Sequence, residues 1–282
     1  MKLWKYFILL LLLIAICLWL AALGIDDDFH LVVCNVGQGD ATLIRYKSTE
    51  ILVDGGPTDA VIDCLSKHVP FWDRELELVI LTHPEADHFT GLIEVFRRYK
   101  VEAFLRSELI LSNQNYQVLE KAVGGTTTRV ITPTNGLIIR LGLIHLDMVI
   151  DEEYLQEKNL DKLNMFSIIT LVGYGDFEAL LTGDYEFEGR DEFLKNLTKI
   201  IPQDGVDYIK IPHHGSKNGL TRALLEITKP KLAVISVGKN QWGHPVPEIF
   251  SMLDYFKVKI LRTDKEGNIV ISSDGTRSWI DR

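Results

Sequence analysis

The stretch Leu81-Thr82-His83-Pro84-Glu85-Ala86-Asp87-His88-Phe89-Thr90-Gly91-Leu92 places two imidazoles and two carboxylates within six residues, directly after an apolar run. A divalent transition metal takes imidazole nitrogens and carboxylate oxygens presented from a rigid element. His83, Glu85, Asp87 and His88 are therefore candidate ligands. A plain helix start, with Asp87 as the cap and 90–93 opening an amphipathic helix, explains part of the segment. It does not explain two histidines.

The elements around this segment must hold it still. Residues 75–81 read as a strand, so the turn at 82–88 leaves a sheet at its carboxyl end, the edge where open α/β sheets bind ligands. Four further predicted strands end in polar groups of the same kind. Residues 51–53 end at Asp54-Gly55-Gly56-Pro57, 177–181 at Thr182-Gly183-Asp184, 208–211 at Pro212-His213-His214-Gly215-Ser216, and 232–237 lead to His244. Other predicted strands are 29–35, 41–46, 130–131, 137–139, 145–149, 167–172, 259–261 and 268–272, and predicted helices are 58–68, 91–98, 221–228 and 247–256. Two glycines in Val36-Gly37-Gln38-Gly39-Asp40 mark a tight turn, and 151–161 reads as a loop or short helix. A strand-end carboxylate alone is more often a cap, and a lone histidine more often structural; five such ends together point to one site.

Length and composition bound the rest. The chain has 282 residues, 46% of them hydrophobic, with 39 acidic against 30 basic side chains and a formal charge of −9. That excludes a disordered chain and gives no bulk basic footprint for nucleic acid. Residues 6–25 form an apolar run preceded by Lys2 and Lys5 and followed by Asp26, Asp27 and Asp28. The run suits a bilayer span with its positive flank in the cytoplasm, and it is long for a cleaved signal peptide, the alternative. Either way a domain over 29–282, after an anchor over 1–28, faces the extracytoplasmic side. Of the three cysteines, Cys17 lies in the apolar run. Cys34 and Cys64 are expected as buried free thiols, with a single Cys34–Cys64 bridge as the alternative.

In this order, the segments VGQGDATLI, LVDGG, LTHPEADHFTGL, LLTGD, IPHHGSKNG and AVISVGKNQWGHPVPE, followed by RTDKEGNI, resemble the metallo-β-lactamase fold superfamily. Within it they are similar to the hydrolase-like domain of the ComEC competence-protein family. The resemblance implies an α/β fold, an αββα sandwich with metals at one edge, here with an N-terminal transmembrane helix. It places His83, Asp87 and His88 on the HxHxDH motif, with Glu85 where the second histidine is common. Asp184 falls on the metal-bridging aspartate, His244 on a final histidine ligand, and one of His213 and His214 points into the site. Asp54 matches an aspartate that braces the metal turn. Two departures follow. His145, the one histidine between the second motif and Asp184, sits in an alternating strand and reads as structural; the ComEC-like counterpart is the segment Asn164-Met165-Phe166-Ser167. The channel and barrel domains of full ComEC proteins have no counterpart here, so the uptake function is not carried over.

The expected cofactor is one or two divalent ions, zinc or manganese, since Glu85 hardens the ligand set. Asp87 is expected to orient a water or accept its proton, or to serve as a further ligand. Ser216, Lys217, Lys239 and Asn240 are candidate contacts for a phosphodiester or nucleic-acid substrate. The leading expectation is an extracytoplasmic phosphodiesterase or nuclease. A small ester, lactone or amide hydrolase and a non-catalytic metal-stabilised binding module are the alternatives.

Overall fold

Short runs rich in β-branched and aromatic residues, punctuated by glycine, pair as strands. A computed structural model describes residues 2–23, 27–109, 111–157 and 160–281. Helix α1 (Lys2–Leu23) precedes β1 (Phe29–Val33), β2 (Thr42–Tyr46), β3 (Thr49–Val53), α2 (Ala60–His68) and β4 (Glu75–Ile80). The short helices α3 (Ala86–Phe89) and α4 (Leu92–Arg98) lead to β5 (Lys100–Leu105), α5 (Gln114–Gly124) and β6 (Arg129–Ile131). Next come β7 (Ile138–Leu141), β8 (Ile144–Val149), α6 (Glu152–Glu157), β9 (Ile169–Tyr174), β10 (Phe177–Leu181), α7 (Asp191–Leu197) and β11 (Tyr208–Lys210). The chain closes with α8 (Arg222–Thr228), β12 (Leu232–Ile235), α9 (Pro247–Tyr255), β13 (Lys259–Arg262), α10 (Thr263–Glu266), β14 (Ile269–Ser273) and β15 (Ser278–Ile280).

Two sheets result. The first has eight strands in the order β15-β14-β1-β2-β3-β4-β5-β6, and the second has seven in the order β13-β12-β11-β10-β9-β8-β7. Their inner faces meet in one apolar layer that includes Phe29, Leu31, Ile51 and Ile80 from the first sheet and Val172, Ala179, Tyr208 and Val234 from the second. On the outer face of the first sheet, Val61 and Leu65 of α2, Val95 of α4 and Leu119 of α5 pack in a second cluster. On the outer face of the second, Leu197 of α7, Leu224 of α8 and Leu253 of α9 form a third. Buried on both faces, the central strands have to be continuously apolar, as Leu52-Val53 and Val79-Ile80 are. The result is the αββα sandwich.

Strands β3, β4 and β5 run parallel, as do β10, β11, β12 and β13. Each parallel set therefore delivers its carboxyl ends to one edge, and the polar strand ends collect there.

Several elements depart from the sequence expectation. Strand β5 and helices α5 and α7 were not foreseen, whereas 151–161 opens as the short helix α6, one of its two expected forms, with residues 158–159 outside the described ones. Cys34 and Cys64 are joined in a disulfide with their Cα atoms 5.8 Å apart, which corrects the expectation of free thiols. The end of β1 and the middle of α2 face the same outer cluster, a proximity that linear spacing does not reveal. The side chains described in α1, from Trp4 to Trp19, are exposed. Among the described residues no helix is long and apolar enough to cross a membrane; residues 24–26 of the expected anchor lie outside them.

Candidate metal centre

The metal turn is held from behind by Asp54 at the end of β3. Its Oδ1 accepts from the Thr82 backbone N–H at 2.8 Å and its Oδ2 from the Thr82 hydroxyl at 2.7 Å, and His88 Nδ1 lies 2.9 Å from the same Oδ2. Asp54 is buried, with φ at 60°. The glycines beside it allow close approach: Gly55 N–H donates to the His88 carbonyl at 2.7 Å, and a Cβ at Gly55 would sit 2.7 Å from Leu92 N. From the other side Gly39 lies so near that its Cβ would be 2.3 Å from the Asp87 carbonyl oxygen. Two loops thus clamp the turn.

Three imidazoles are each fixed through Nδ1 and left open at Nε2. His83 Nδ1 is 3.1 Å from the Thr82 hydroxyl, His88 Nδ1 is bound to Asp54, and His214 Nδ1 is 2.8 Å from the Ser236 carbonyl. The Nε2 atoms of all three are buried and make no directed hydrogen bond. Buried polar atoms are rarely left so. A ligating histidine typically donates its other nitrogen to a fixed acceptor, as these do.

Around two of those nitrogens the spacing is that of a ligand set. His88 Nε2 is 3.3 Å from Asp184 Oδ2, His214 Nε2 is 3.2 Å from the same oxygen, and His214 Nε2 is 3.3 Å from Asp87 Oδ2. Tetrahedral ligands at bond lengths of about 2.0–2.1 Å stand roughly 3.3 Å apart. Ligand atoms from Asp87, His88, Asp184 and His214 all lie within 4.8 Å of one another. A divalent cation fits this group.

The charges agree. Burial alone would raise Asp184, but His214, Lys210 and His88 outweigh it and hold the carboxyl well below its usual range. Asp87 is likewise held low against burial by His214 and His88. Burial opposes charge on His214, yet Asp184, Asp40 and Asp87 push it up to about 10, and Asp184 and Asp54 raise His88 in the same way. A cation held at these rings would compete with protons. His83 goes the other way: burial, then the neighbouring His88 charge, keeps it neutral. Its ring centroid is 4.2 Å from that of His88.

Strain marks the second turn. His213 and His214 have φ values of 49° and 53°, left-handed for two consecutive non-glycine residues, at a cost of about 1–3 kcal/mol each. This reversal sends His214 into the cluster and His213 to the cleft wall. There His213 Nδ1 is 3.2 Å from Glu186 Oε1 and 3.4 Å from Asn164 Nδ2. His244 stands 5.5 Å from His213, ring to ring, and does not enter the four-residue group. Burial, then Asp87 and Asp184, raises Glu85, which lines the cleft mouth beside Asp87. The cleft encloses about 950 Å³, and Lys239, Asn240, Gln241 and Trp242 form its rim.

The other expected substrate contacts are placed unevenly. Lys239 borders the cleft, whereas Lys217 is exposed and does not line it. Ser216 is buried. The Asn240 amide is spent on its own loop, donating to the Gly238 and His244 carbonyls while its Oδ1 accepts from His244 N–H. His145 lies away from the cluster, 3.7 Å from Glu178. Ser167 of the Asn164–Ser167 segment accepts from Asp184 N–H at 3.1 Å, so that segment braces the site.

Sequence reasoning missed Lys210, Asp40 and Glu186. Lys210 is 2% exposed, and its Nζ donates to the Gly183 carbonyl at 2.6 Å and to Asp184 Oδ1 at 3.0 Å while pairing closely with Asp40. The available signal was a lysine in the otherwise apolar strand Tyr208-Ile209-Lys210-Ile211. Such a residue is buried only when paired.

The family profile of the Metallo-beta-lactamase superfamily matches residues 34–142. ComE operon protein 3 of Bacillus subtilis (strain 168) is 24% identical over 264 residues, which cover 87% of this chain and 33% of that protein. Recombination protein 2 of Haemophilus influenzae is 29% identical over 248 residues, covering 84% of this chain and 28% of that protein. The chain thus spans about a third of the length of these relatives. Among solved structures, the metallo-beta-lactamase fold protein YhfI from Bacillus subtilis superposes with a TM-score of 0.60 at 12% identity, covering 87% of this chain and all of that one. Zn(2+)-bound PqqB from Methylobacterium extorquens gives 0.57 at 10% identity, covering 87% and 99%. At these identities the structural likenesses speak for the fold alone. Fold, motif order and sequence similarity agree: this is a metallo-β-lactamase-fold chain whose residues 34–142 match the model of that superfamily, with ComEC-like relatives and a His/Asp group that could hold a metal ion.

Proposed function

We propose that this chain is a membrane-anchored, extracytoplasmic, metal-dependent phosphodiesterase that acts on nucleic acid or a related phosphodiester. The observation that carries the hydrolytic part is the ligand-spaced group of Asp87, His88, Asp184 and His214 at the floor of an open cleft. His88, His214 and Asp184 would hold the ion, with His83 and Glu85 beside them as ligands for a second. When bound, such an ion supplies positive charge to a phosphoryl oxygen and acidifies a water.

The chain's own residues do the rest. Asp87 is partly exposed at the cleft while its Oδ2 faces His214, so it is the carboxylate placed to orient a water or take its proton. Lys210 and Ser167 fix Asp184. Lys239 on the rim offers a cation to a phosphate, and similarity to ComEC-type proteins supports a phosphodiester over a small ester. The Cys34–Cys64 disulfide supports an oxidising compartment, and α1 with its lysine flank supports a tether whose amino-terminal end stays in the cytoplasm while the domain faces outward.

The test is cleavage of a fluorescent single-stranded oligonucleotide and of a bis-aryl phosphodiester by the full chain with manganese or zinc. Metal-dependent turnover that Asp184→Ala abolishes is the expected result. A folded, metal-loaded chain that cleaves a carboxylic ester but neither phosphodiester would replace this reading with the small-ester one.

A further inference from the structure

Phe71 and Trp72 are 78% and 70% exposed, with their rings edge to face at a centroid distance of 4.9 Å. They occupy the two central positions of a tight turn closed by Asp73 N–H donating to the Pro70 carbonyl at 2.9 Å. Such positions ordinarily carry glycine, asparagine, aspartate or serine. Two large aromatics there present apolar surface that the turn itself does not require. The turn is firmly mounted: Asp73 Oδ1 accepts from Glu75 N–H at 3.1 Å, and Arg74 donates to the Tyr99 hydroxyl at 3.1 Å and lies over its ring.

Strand register gives its place. Phe29 pairs with Tyr46, Tyr46 with Thr49, and β3 runs parallel to β4 with Ile51 beside Leu78. The amino ends of β1 and β4 therefore lie at the same end of the sheet. The aromatic turn directly precedes β4, and the chain enters β1 from the side of α1 through Asp27 and Asp28. The β7–β8 tip, with Leu143 63% exposed, belongs to this end too, because Ile144 pairs with Tyr174, whose ring stacks on Phe29. The metal group lies at the opposite, carboxyl ends of β3, β4, β10 and β11.

We infer that the Phe71-Trp72 turn is a bilayer contact, which seats this end of the sandwich in the lipid interface and turns the metal cleft away from the membrane. The inference rests on the reading of α1 as a membrane anchor. An aromatic pair with Asp73 and Arg74 at its base has the amphipathic character of residues that settle at the headgroup level.

The test uses the full chain in phosphatidylethanolamine–phosphatidylglycerol vesicles, with one tryptophan kept at a time and the others changed to phenylalanine. In the Trp72 chain, carrying Trp4→Phe, Trp19→Phe, Trp242→Phe and Trp279→Phe, emission is expected to move to shorter wavelength. Lipids brominated high on the acyl chain should remove most of it. In the matching Trp242 chain, aqueous iodide should quench and brominated lipid should not. The Trp19 chain reads the anchor. Quenching of Trp19 without Trp72 overturns the contact and leaves the anchor standing, whereas no lipid quenching of Trp19 removes the anchor and this inference with it. Trp72 shielded from iodide yet untouched by brominated lipid would mark a protein contact instead, and lipid quenching of Trp242 would contradict the orientation.

Discussion

Lys210 Nζ donates to Asp184 Oδ1 at 3.0 Å, and the other oxygen, Oδ2, faces both His88 Nε2 and His214 Nε2 at 3.2–3.3 Å. One carboxylate oxygen is thus held by the protein while the other is aimed at the centre of the candidate ligand group. Asp40 holds the lysine in turn. Breaking a buried pair by removing one partner typically costs about 3–5 kcal/mol. Lys210→Met should therefore lower stability by about that much in a denaturant titration and weaken metal binding together with it. Unchanged stability would mean the lysine is not needed to neutralise Asp40 and Asp184.

Asp54 acts through others. It touches Thr82 and His88 and sits behind the ligand group. Loss of such a partner commonly costs about 10–100-fold in metal affinity. Asp54→Asn keeps the volume but replaces one of the two accepting oxygens with a donor NH2, which must then face either the Thr82 N–H or the His88 and Thr82 hydroxyl donors. Chelator competition on the variant should show a loss in that range with the circular dichroism spectrum retained. An unaltered affinity would place the bracing elsewhere.

Glu50 supplies a pH dependence separate from the metal group. Both its carboxylate oxygens are buried without partners, and burial, then the nearby Asp73 and Glu77, pushes its pKa from 4.5 up to about 8. The native state keeps this proton where the unfolded chain has already released it. Between about 4.5 and 8 the folded form binds more protons, so the contribution of Glu50 to stability falls as pH rises across that window. Glu50→Gln should be more stable than the parent at pH 8, with the difference vanishing below pH 4.5. Parallel stability curves for the two proteins would contradict the assignment.

The Cys34–Cys64 bridge closes a segment with a sequence separation of 30, for which chain entropy predicts about 3–4 kcal/mol. The Cys34→Ser, Cys64→Ser chain should lose stability of that order, and reduction of the parent should reproduce the loss. A parent insensitive to reductant, with both thiols free by mass spectrometry, would remove the disulfide and with it one support for an extracytoplasmic location.

His83, Glu85, Asp87 and His88 were legible because one turn carries them all, so local spacing is spatial proximity. Asp54 and Asp184 were legible as carboxylates at the ends of apolar strands. Lys210 and Asp40 were not, because their pairing depends on two sheets meeting at one edge. Which of His213 and His214 points into the site was left open for a related reason. Both histidines follow a strand, and only the left-handed backbone at His213 and His214 decides which ring turns inward. Helix α5 was obscured by its mixed polar face, since Tyr116, Leu119 and Val123 alone bury into the first sheet's outer cluster. The disulfide needed α2 to fold back over β1, a tertiary fact that two isolated cysteines do not announce.

The central claim is that the open Nε2 atoms and the two aspartates beside them hold a divalent cation. Anomalous difference maps from crystals of the full chain grown with manganese or zinc test it most directly. The expected result is a peak within bonding distance of His88 Nε2, His214 Nε2 and Asp184 Oδ2, absent in Asp184→Ala. An empty group in a well-ordered crystal at saturating metal, or a peak only at other residues, would contradict the claim.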